Sequence, residues 1–325
     1  MNGTFQVADG ITAIDTKMVG RYLVTSAYLV DAEEPALVET GPTTSSDAVS
    51  QGLEAIGVGV DHLAHVVVTH IHLDHAGGAG TIAARFPRST VWVHGRGAPH
   101  LADPTRLVAS TERTYGHARA RELFGRVTPV AAERLRAVDE GDEIRLGARS
   151  LRVLYTPGHA SHHVALSDSR TGAMFVGDAL GVHLPDVRVL RPATPPPDFD
   201  VELAASSIAR IRARAELLLL SHFGPVTEVD HLCELATDRI LAWGKVVRDA
   251  LVVDDDLDRI VALLERQGAT EYREDSGEDI DMERYDVLSS IRINAAGLIR
   301  YWKKRAEREA AQLAEVPVAI DQPES

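Results

Sequence analysis

Short, mostly apolar runs with the length of buried strands recur along the first two thirds of the chain. Runs of this length that are rich in Val, Leu and Ile favour strands in the interior of a sheet over helices. We therefore predict a sheet-based fold whose central strands lie in four of these runs, namely residues 64–68, 151–155, 173–176 and 217–220.

The N-terminal residues predict further strands and the first helix. Residues 4–15 and 21–31 are each interpreted as a β-strand, and a polar turn at 31–35 leads to a third strand over 36–40. Because serine is a favoured N-cap, a helix is predicted from Ser45 or Ser46 to Ile56, packed on the outside of an antiparallel start. The same reasoning predicts helices over 79–86 and 199–215 and strands over 90–94, 143–146 and 164–167.

Between these elements lies an irregular region, about residues 95–134, that is rich in Gly and Pro. We interpret it as an insertion of loops and short helices. Its His100, Tyr115 and His117 could line the mouth of a pocket, although polar surface residues are the simpler interpretation. Tyr115 is kept as a candidate substrate contact.

The apolar period changes to a helical one from about residue 230 onward. Apolar residues then recur every three or four positions, which is typical of amphipathic helices that pack on one face. We predict a sheet-based domain over residues 1–227, followed by a C-terminal helical region over residues 228–325. The three apolar stripes run through 232–251, 257–264 and 288–302.

Composition narrows the class of protein. The chain has 325 residues, 45% of them hydrophobic, which is enough for a large buried core. No apolar run approaches the roughly 18 residues that a membrane helix needs, and the first thirty residues lack a signal-peptide pattern. Cys233 is the single cysteine, so no internal disulfide can form. We expect a cytoplasmic protein with no membrane partner.

Charge excludes one class of partner. The formal net charge is −14, whereas nucleic-acid binding relies on clustered Lys and Arg, so no nucleic-acid partner is expected. Residues 249–286 carry fourteen Asp or Glu against four Arg, a net charge of −10, and are interpreted as a solvated face. Residues 291–308 carry six Lys or Arg and one Glu, so we expect the last helix to pack against this acidic segment. A homo-oligomer stays possible.

Possible metal ligands follow each of the four predicted central strands. The carboxyl ends of strands in a sheet meet along one edge, where the loops that follow can converge on an ion. Gly158 and Gly177 directly precede two of these residues, and a residue without Cβ allows a sharp turn. Imidazole and carboxylate ligands without thiolate suit zinc, iron or manganese. The predicted ligands are His70, His72, Asp74, His75, His159, Asp178 and His222.

The motifs around these residues resemble those of the metallo-β-lactamase superfamily, and within it the hydrolases similar to glyoxalase II. The resemblance implies an α/β fold, an αββα sandwich, and covers about residues 20–225. It rests on four motifs: His-Ile-His-Leu-Asp-His at 70–75, Thr-Pro-Gly-His at 156–159, Gly-Asp at 177–178 and Ser-His-Phe-Gly-Pro at 221–225.

The resemblance also implies which ligands bind each of two metal ions. His70, His72 and His159 would hold one divalent ion and Asp74, His75 and His222 a second, with Asp178 bridging them. Zinc is the default metal. A hydroxide bridging the two ions would cleave a thioester or similar acyl bond of a small molecule, with Asp74 and Asp178 as the catalytic carboxylates. In similar proteins an Asp-Thr-Gly often precedes the first helix, whereas this chain has Glu39 in the acidic position.

Three other functions fit the same residues. The first is a lactonase or esterase of the same fold, and the second is a mononuclear iron dioxygenase acting on a thiol or persulfide. The third is a regulatory binding protein that uses the metal for structure. For substrate contacts we consider His183, Tyr115, Arg292 and Arg300. Because every predicted ligand lies at or before His222, we expect the C-terminal helices to govern substrate binding rather than metal binding.

Overall fold

Two β-sheets packed face to face form the centre of the molecule, whose computed structural model describes residues 3–184, 189–276 and 283–314. The first sheet has seven strands in chain order, antiparallel from β1 to β4 and parallel from β4 to β7. This confirms the predicted antiparallel start. The strands are β1 (Thr4–Ala8), β2 (Ile11–Asp15), β3 (Ser26–Val30), β4 (Ala36–Val38), β5 (His65–Val67), β6 (Thr90–His94) and β7 (Leu135–Val138).

The second sheet has six strands in the order β15-β14-β11-β10-β9-β8. All neighbours in it are antiparallel except β11 and β14, which run parallel. A separate two-stranded sheet pairs β12 with β13. These strands are β8 (Glu143–Arg145), β9 (Ser150–Tyr155), β10 (Val164–Asp168), β11 (Ala173–Gly177), β12 (Val182–His183), β13 (Leu190–Arg191), β14 (Leu217–Leu220) and β15 (Gly224–Val226).

Helices cover the outer face of each sheet. In the described part of the chain they are α1 (Ser46–Ala55), α2 (Leu73–Ala76), α3 (Ala79–Arg85), α4 (Ala98–Ala102), α5 (Thr105–Tyr115), α6 (His117–Phe124), α7 (Val201–Arg212), α8 (Val229–Leu251), α9 (Leu257–Ser276), α10 (Glu283–Leu288) and α11 (Ile291–Ala314). Helices α1 and α3 pack on the seven-stranded sheet, and α7, α8, α9 and α11 form the apolar layer on the six-stranded sheet. The layers therefore form the predicted αββα sandwich.

The alternation of side chains along β11 shows how the sequence separates the layers. Ala173 and Phe175 belong to the core between the sheets, while Met174 and Val176 belong to the core beneath the outer helices. Successive side chains of a strand point to opposite faces, so a strand covered on both sides must be apolar throughout. The core between the six-stranded sheet and its outer helices buries Trp243 of α8 completely. The apolar stripe of this helix thus packs against the six-stranded sheet.

Ion pairs join the last helix to the acidic segment, as its charge predicts. Arg292 lies 2.5 Å from Asp258, and Lys303 pairs with Asp255. Residues 277–282 of the acidic segment lie outside the described residues. The boundary at residue 227 stays a prediction, although α8 begins at Val229.

A buried ion pair connects the two sheets at one end. Arg149 donates from Nε and Nη2 to the two carboxylate oxygens of Asp168, at 2.6 and 2.9 Å. Its Nη1 and Nη2 also donate to the carbonyls of Gly10, Asp31 and Asp9, which lie in the turn between β1 and β2 and directly after β3 of the first sheet. Both side chains are almost completely buried. One arginine therefore satisfies carbonyls of one sheet while it is held by a carboxylate of the other.

Several predicted boundaries are wrong for identifiable local reasons. Residues 4–15 form two strands instead of one, because the chain reverses at Gly10, where φ is +62°. Of residues 21–31 only Ser26–Val30 are a strand. Strand β7 lies directly after the predicted insertion and was not predicted. Among the described helices none is long and apolar enough to cross a membrane.

Candidate metal centre

The loop after β5 delivers four of the predicted ligands from one short stretch of chain. His70 and His72 lie on the extended segment that leaves the strand, and Asp74 and His75 lie on the single helical turn of α2. Gly77, which follows this turn, has no room for a side chain, since a Cβ there would lie 2.3 Å from the Leu73 carbonyl oxygen. The motif thus combines an extended segment with a tight turn, which points its side chains toward one region.

Glycines let the remaining loops approach that region closely. Gly158 has a φ of +135°, and a Cβ on it would lie 2.3 Å from the backbone nitrogen of Ala204. Gly177 has a φ of +50°, and its Cβ would lie 2.5 Å from Nε2 of His163. Only glycine fits both constraints, a left-handed backbone and a close neighbour. The predicted role of these two glycines is therefore confirmed.

The first group of ligand atoms comprises three histidine nitrogens. Nδ1 of His72 lies 3.1 Å from Nε2 of His70 and 2.9 Å from Nε2 of His159. Nitrogens that share one tetrahedral zinc lie roughly 3.3 Å apart, so the spacing fits a single ion. His159 donates its Nδ1 proton to the Ala193 carbonyl at 3.0 Å, which leaves the Nε2 lone pair directed at the group.

The second group combines histidines with carboxylates. Oδ1 of Asp178 lies 3.2 Å from Nε2 of both His75 and His222. Oδ2 of Asp74 lies 3.4 Å from Nε2 of His75 and 3.5 Å from Nε2 of His222. The other oxygen of Asp178, Oδ2, lies 3.5 Å from Nε2 of His159 in the first group. Asp178 therefore faces both groups with a different oxygen on each.

Buried polar atoms without a partner test whether these residues fit metal ions. Nε2 of His75, Nε2 of His222 and Oδ1 of Asp178 are fully buried, and within the described structure none has a hydrogen-bond partner. Burying such atoms unpaired is costly, so they call for a cation at their centre. The His and Asp residues form three overlapping groups, and within each group the ligand atoms lie within 4.8 Å of one another. Together the three groups include all seven predicted ligands. The donor set fits two divalent ions.

Electrostatics favour a positive charge at the second group. Burial would lower the pKa of His75, but the carboxylates of Asp178, Asp74 and Glu39 outweigh it and raise that pKa well above its usual value. Burial would raise the pKa of Asp74, yet His75 and His222 lower it to about 2. Around the first group, burial lowers the pKa values of His70, His72 and His159, so these rings stay neutral. Metal is bound by neutral imidazoles and ionised carboxylates, so a cation bound at the second group would take the place of the proton that the carboxylates favour on His75.

Glu39, which occupies the acidic position before the first helix, lies beside the second group of ligand atoms. Its side chain is buried, its Oε2 lies 3.5 Å from Nδ1 of His75, and its Oε1 accepts a hydrogen bond from Thr69 N at 3.2 Å. The residue has a φ of +66°, which is unfavourable for a side chain of this size. The carboxylate of Glu39 places negative charge beside His75 and contributes to the raised pKa of that ring.

His163, which is not among the predicted ligands, lies directly beside them. Its Nε2 accepts a hydrogen bond from the backbone nitrogen of Asp178 at 3.1 Å, and its Nδ1 lies 2.8 Å from Oγ1 of Thr156. The ring is completely buried. His163 therefore fixes the backbone from which the Asp178 carboxylate extends.

The ligand groups open into a cavity of about 290 Å³. Its walls come from the insertion, from the connector at 192–197 and from α10 and α11. Tyr115 lines this cavity, as predicted for a substrate contact, and so does His100. His162, which the sequence did not single out as a substrate contact, lines it as well, and burial beside His159 lowers its pKa to about 3.

The other three predicted substrate residues do not line the cavity. His183 pairs with the metal-ligand loop through its backbone, since its N–H donates to the carbonyl of His222 at 3.1 Å. Arg292 pairs with Asp258, and Arg300 donates to the carbonyl of Pro197 at 3.2 Å. The last helix thus uses these cations to neutralise the acidic segment and to hold the connector.

Comparison with known proteins agrees with this architecture. The sequence profile of the metallo-β-lactamase superfamily matches residues 20–222. Protein ST1585 of Sulfurisphaera tokodaii, a metallo-β-lactamase fold-containing protein, is 27% identical over 177 residues, 52% of this chain and 63% of its own. A hydroxyacylglutathione hydrolase of Bradyrhizobium sp. is 30% identical over 158 residues, 47% of each chain. The matches thus span about half to two thirds of these relatives.

Solved structures extend the likeness to most of the fold. The crystal structure of ST1585 gives a TM-score of 0.63 at 20% identity, covering 89% of this chain and 98% of that chain. TTHA1429, a metallo-β-lactamase family protein of Thermus thermophilus, gives 0.64 at 18% identity, covering 92% and 94%. An αββα sandwich with His and Asp side chains gathered at one edge defines the class of protein. The chain belongs to the metallo-β-lactamase superfamily.

Proposed function

We propose that the protein is a dinuclear metal-dependent hydrolase that cleaves a carboxylic thioester or a similar acyl bond. The observation that carries this proposal is the position of Asp178, whose two oxygens face two separate groups of buried ligand atoms. Two divalent ions held there, zinc by default, would lower the pKa of a shared water toward about 7 and polarise an acyl carbonyl.

The side chains of the protein would hold the two ions in place and form the cavity in which the substrate binds. The carboxylates of Asp74 and Asp178 hold the negative charge that two cations require, and Glu39 and His163 hold the surrounding groups in place. Apolar side chains form part of the cavity lining, among them Ile71, Leu107 and Ile293. A carbonyl placed among them would lie beside the ligand groups.

Two considerations favour an acyl bond. The net charge of the sequence, −14, argues against a polyphosphate substrate. Two of the relatives, from Bradyrhizobium and Synechococcus, are hydroxyacylglutathione hydrolases, at 30% and 28% identity. Hydrolysis of a thioester is therefore the reaction that we propose first, and hydrolysis of a lactone or other ester is the nearest alternative.

The test is turnover of a panel of thioesters, lactones and simple esters by zinc-loaded, iron-loaded and manganese-loaded protein. His72→Ala should abolish turnover, because it removes the nitrogen that lies between His70 and His159. His117→Ala is the matched control, since His117 is exposed on α6 and pairs with Glu112.

The possible outcomes separate the alternatives. Turnover of thioesters that is lost in the His72 variant and kept in the His117 variant supports the proposal. Oxygen consumption with a thiol or persulfide by protein holding one iron per chain would replace it with a dioxygenase. A protein that binds metal but turns over no member of the panel would favour a regulatory role.

A further inference from the structure

The insertion wall of the cavity carries two arginines that have no acidic partner among the described residues. Arg96 follows β6 and Arg106 lies in the first turn of α5, and both line the cavity. No carboxylate of the described residues lies within 4.0 Å of either guanidinium. Cavity-lining cations that face no counter-ion are suited to binding an anion from solution.

The nearest acidic group in sequence is already engaged elsewhere. Asp103, three residues before Arg106, accepts hydrogen bonds from the backbone N–H and the hydroxyl of Thr105, at 3.1 and 2.6 Å. These bonds are the main reason that the pKa of Asp103 is lowered, and Arg106 contributes less. Asp103 therefore caps the start of α5 and leaves the guanidinium of Arg106 available.

The other cavity walls hold little negative charge. Of the described residues that line the cavity, only Asp74, Asp178 and Asp198 are acidic. The first two belong to the ligand groups, and Asp198 is exposed and accepts a hydrogen bond from Ser161 Oγ at 2.5 Å. The chain as a whole, by contrast, carries a net charge of −14. The charge of this wall is thus opposite to that of the molecule as a whole.

We infer that the substrate carries, besides its acyl bond, a carboxylate or phosphate group that Arg96 and Arg106 bind at the insertion wall. This inference rests on the proposed function and names the class of its substrate. A guanidinium binds either anion through two parallel N–H donors, which a hydroxyl or amide of the substrate cannot accept equally well. The anion would anchor one end of the substrate while the acyl carbonyl lies at the metal ligands. The cations proposed to contact substrate are thus Arg96 and Arg106 of the insertion, and not Arg292 and Arg300 of the last helix.

The experiment compares matched substrates. The acetyl thioester of 3-mercaptopropionate has a carboxylate on the thiol half, its primary amide is the neutral match, and a phosphate analogue replaces the carboxylate. A fourth compound places the carboxylate on the acyl half. We expect kcat/KM for one of the anionic compounds to exceed that of its neutral match by about tenfold or more, since hydrogen bonds to charged groups contribute that much.

Variants assign the preference to the two arginines. Arg96→Gln and Arg106→Gln should each reduce the anionic-to-neutral ratio by about tenfold, mainly through KM, and leave kcat for the neutral compound unchanged. Arg113→Gln is the matched control, because Arg113 lies on the same helix, is exposed and does not line the cavity. The anionic compound whose kcat/KM falls in these variants shows whether the arginines bind a carboxylate or a phosphate. It also shows whether that anion lies on the thiol half or on the acyl half of the substrate.

A binding measurement separates failure of this inference from failure of the proposed function. Uncleavable thioether analogues of the same compounds are titrated into zinc-loaded wild-type and variant protein. Tighter binding of an anionic analogue that is lost in the Arg96, Arg106 double variant supports the anion site even if no thioester is cleaved. Equal binding of charged and neutral analogues, or a preference that survives in the double variant, overturns it.

Discussion

His159 donates its Nδ1 proton to the carbonyl of Ala193 at 3.0 Å, and through that bond a predicted metal ligand depends on the connector at 192–197. The connector is held in turn by Asn294 of α11. The amide of Asn294 accepts from Thr194 N at 2.7 Å and donates to the Pro192 carbonyl at 2.9 Å. The last helix therefore contributes no ligand but supports one. The expectation that the C-terminal helices govern substrate binding rather than metal binding stays a prediction, and this indirect support of His159 was not part of it.

Asn294→Leu should weaken the binding of one metal ion and not of the other. The substitution removes both bonds to the connector, so the Ala193 carbonyl and His159 lose their fixed position, and supporting contacts of this kind change metal affinity by about tenfold or more. The measurement is metal release during titration with a chelator. Arg292→Gln on the same helix is the control. Equal affinity for both ions in Asn294→Leu and wild type would show that the connector is held by other contacts.

Glu39→Gln should lower the affinity for the ion that His75 helps to hold. The neutral amide cannot supply the negative charge that Glu39 places 3.5 Å from Nδ1 of His75, and loss of such a partner costs about 10- to 100-fold in affinity. Glu34→Gln is the matched control, since Glu34 pairs with His65, which is not a predicted ligand. Unchanged metal affinity in the Glu39 variant would remove Glu39 from the centre.

Tyr115→Phe should lower kcat/KM by about tenfold and leave the metal content unchanged. Burial, and then the negative charges of Asp74 and Asp178, raise the pKa of Tyr115, so its hydroxyl stays protonated and can donate to a substrate in the cavity. Tyr22→Phe is the control, because Tyr22 is exposed and lies beside Lys17. Full activity of Tyr115→Phe would reduce its role to shaping the wall.

Asp168→Asn should destabilise the fold by about 3 kcal/mol near neutral pH, because it leaves Arg149 buried without its counter-ion. Burial would raise the pKa of Asp168, but hydrogen bonds from Arg149 and Thr171 lower it below the usual value. Stability from a carboxyl with a lowered pKa is present above about pH 4 and is lost as the pH falls further.

The destabilisation by Asp168→Asn should accordingly shrink in acid. Urea unfolding at neutral and acidic pH measures it, with the exposed Asp9→Asn as a control that should change stability by less than about 0.5 kcal/mol. A difference that stays constant down to low pH would mean that the Asp168 carboxylate is not the group responsible.

The layers of the fold and the grouping of the ligands could be predicted because both follow from local patterns. A short run that is apolar throughout, such as β11, predicts a strand buried on both faces. Ligands placed directly after such strands meet at one edge of the sheet. Gly158 and Gly177 predicted sharp turns before His159 and Asp178. Their positive φ and their close neighbours leave room for glycine and for no larger residue.

The surroundings of the ligands could not be predicted because they depend on contacts between distant parts of the chain. Asn294 is 135 positions after His159, the ligand that it supports through the connector. An asparagine in an amphipathic helix gives no sign of such a role. Arg292 and Arg96 show a second limit: sequence alone does not tell which arginine pairs with an acidic residue at the surface and which lines a cavity. Charge partners are decided by packing.

The most direct test of the account is the number of metal ions per chain in protein loaded with excess zinc, measured by elemental analysis for wild type and Asp178→Ala beside their activities. We predict two ions per wild-type chain. In Asp178→Ala, which lacks the carboxylate that faces both groups, we predict fewer than two ions and activity lower by several orders of magnitude, with the fold intact. A wild-type content that never exceeds one ion, or near-normal turnover by Asp178→Ala, would contradict the dinuclear mechanism.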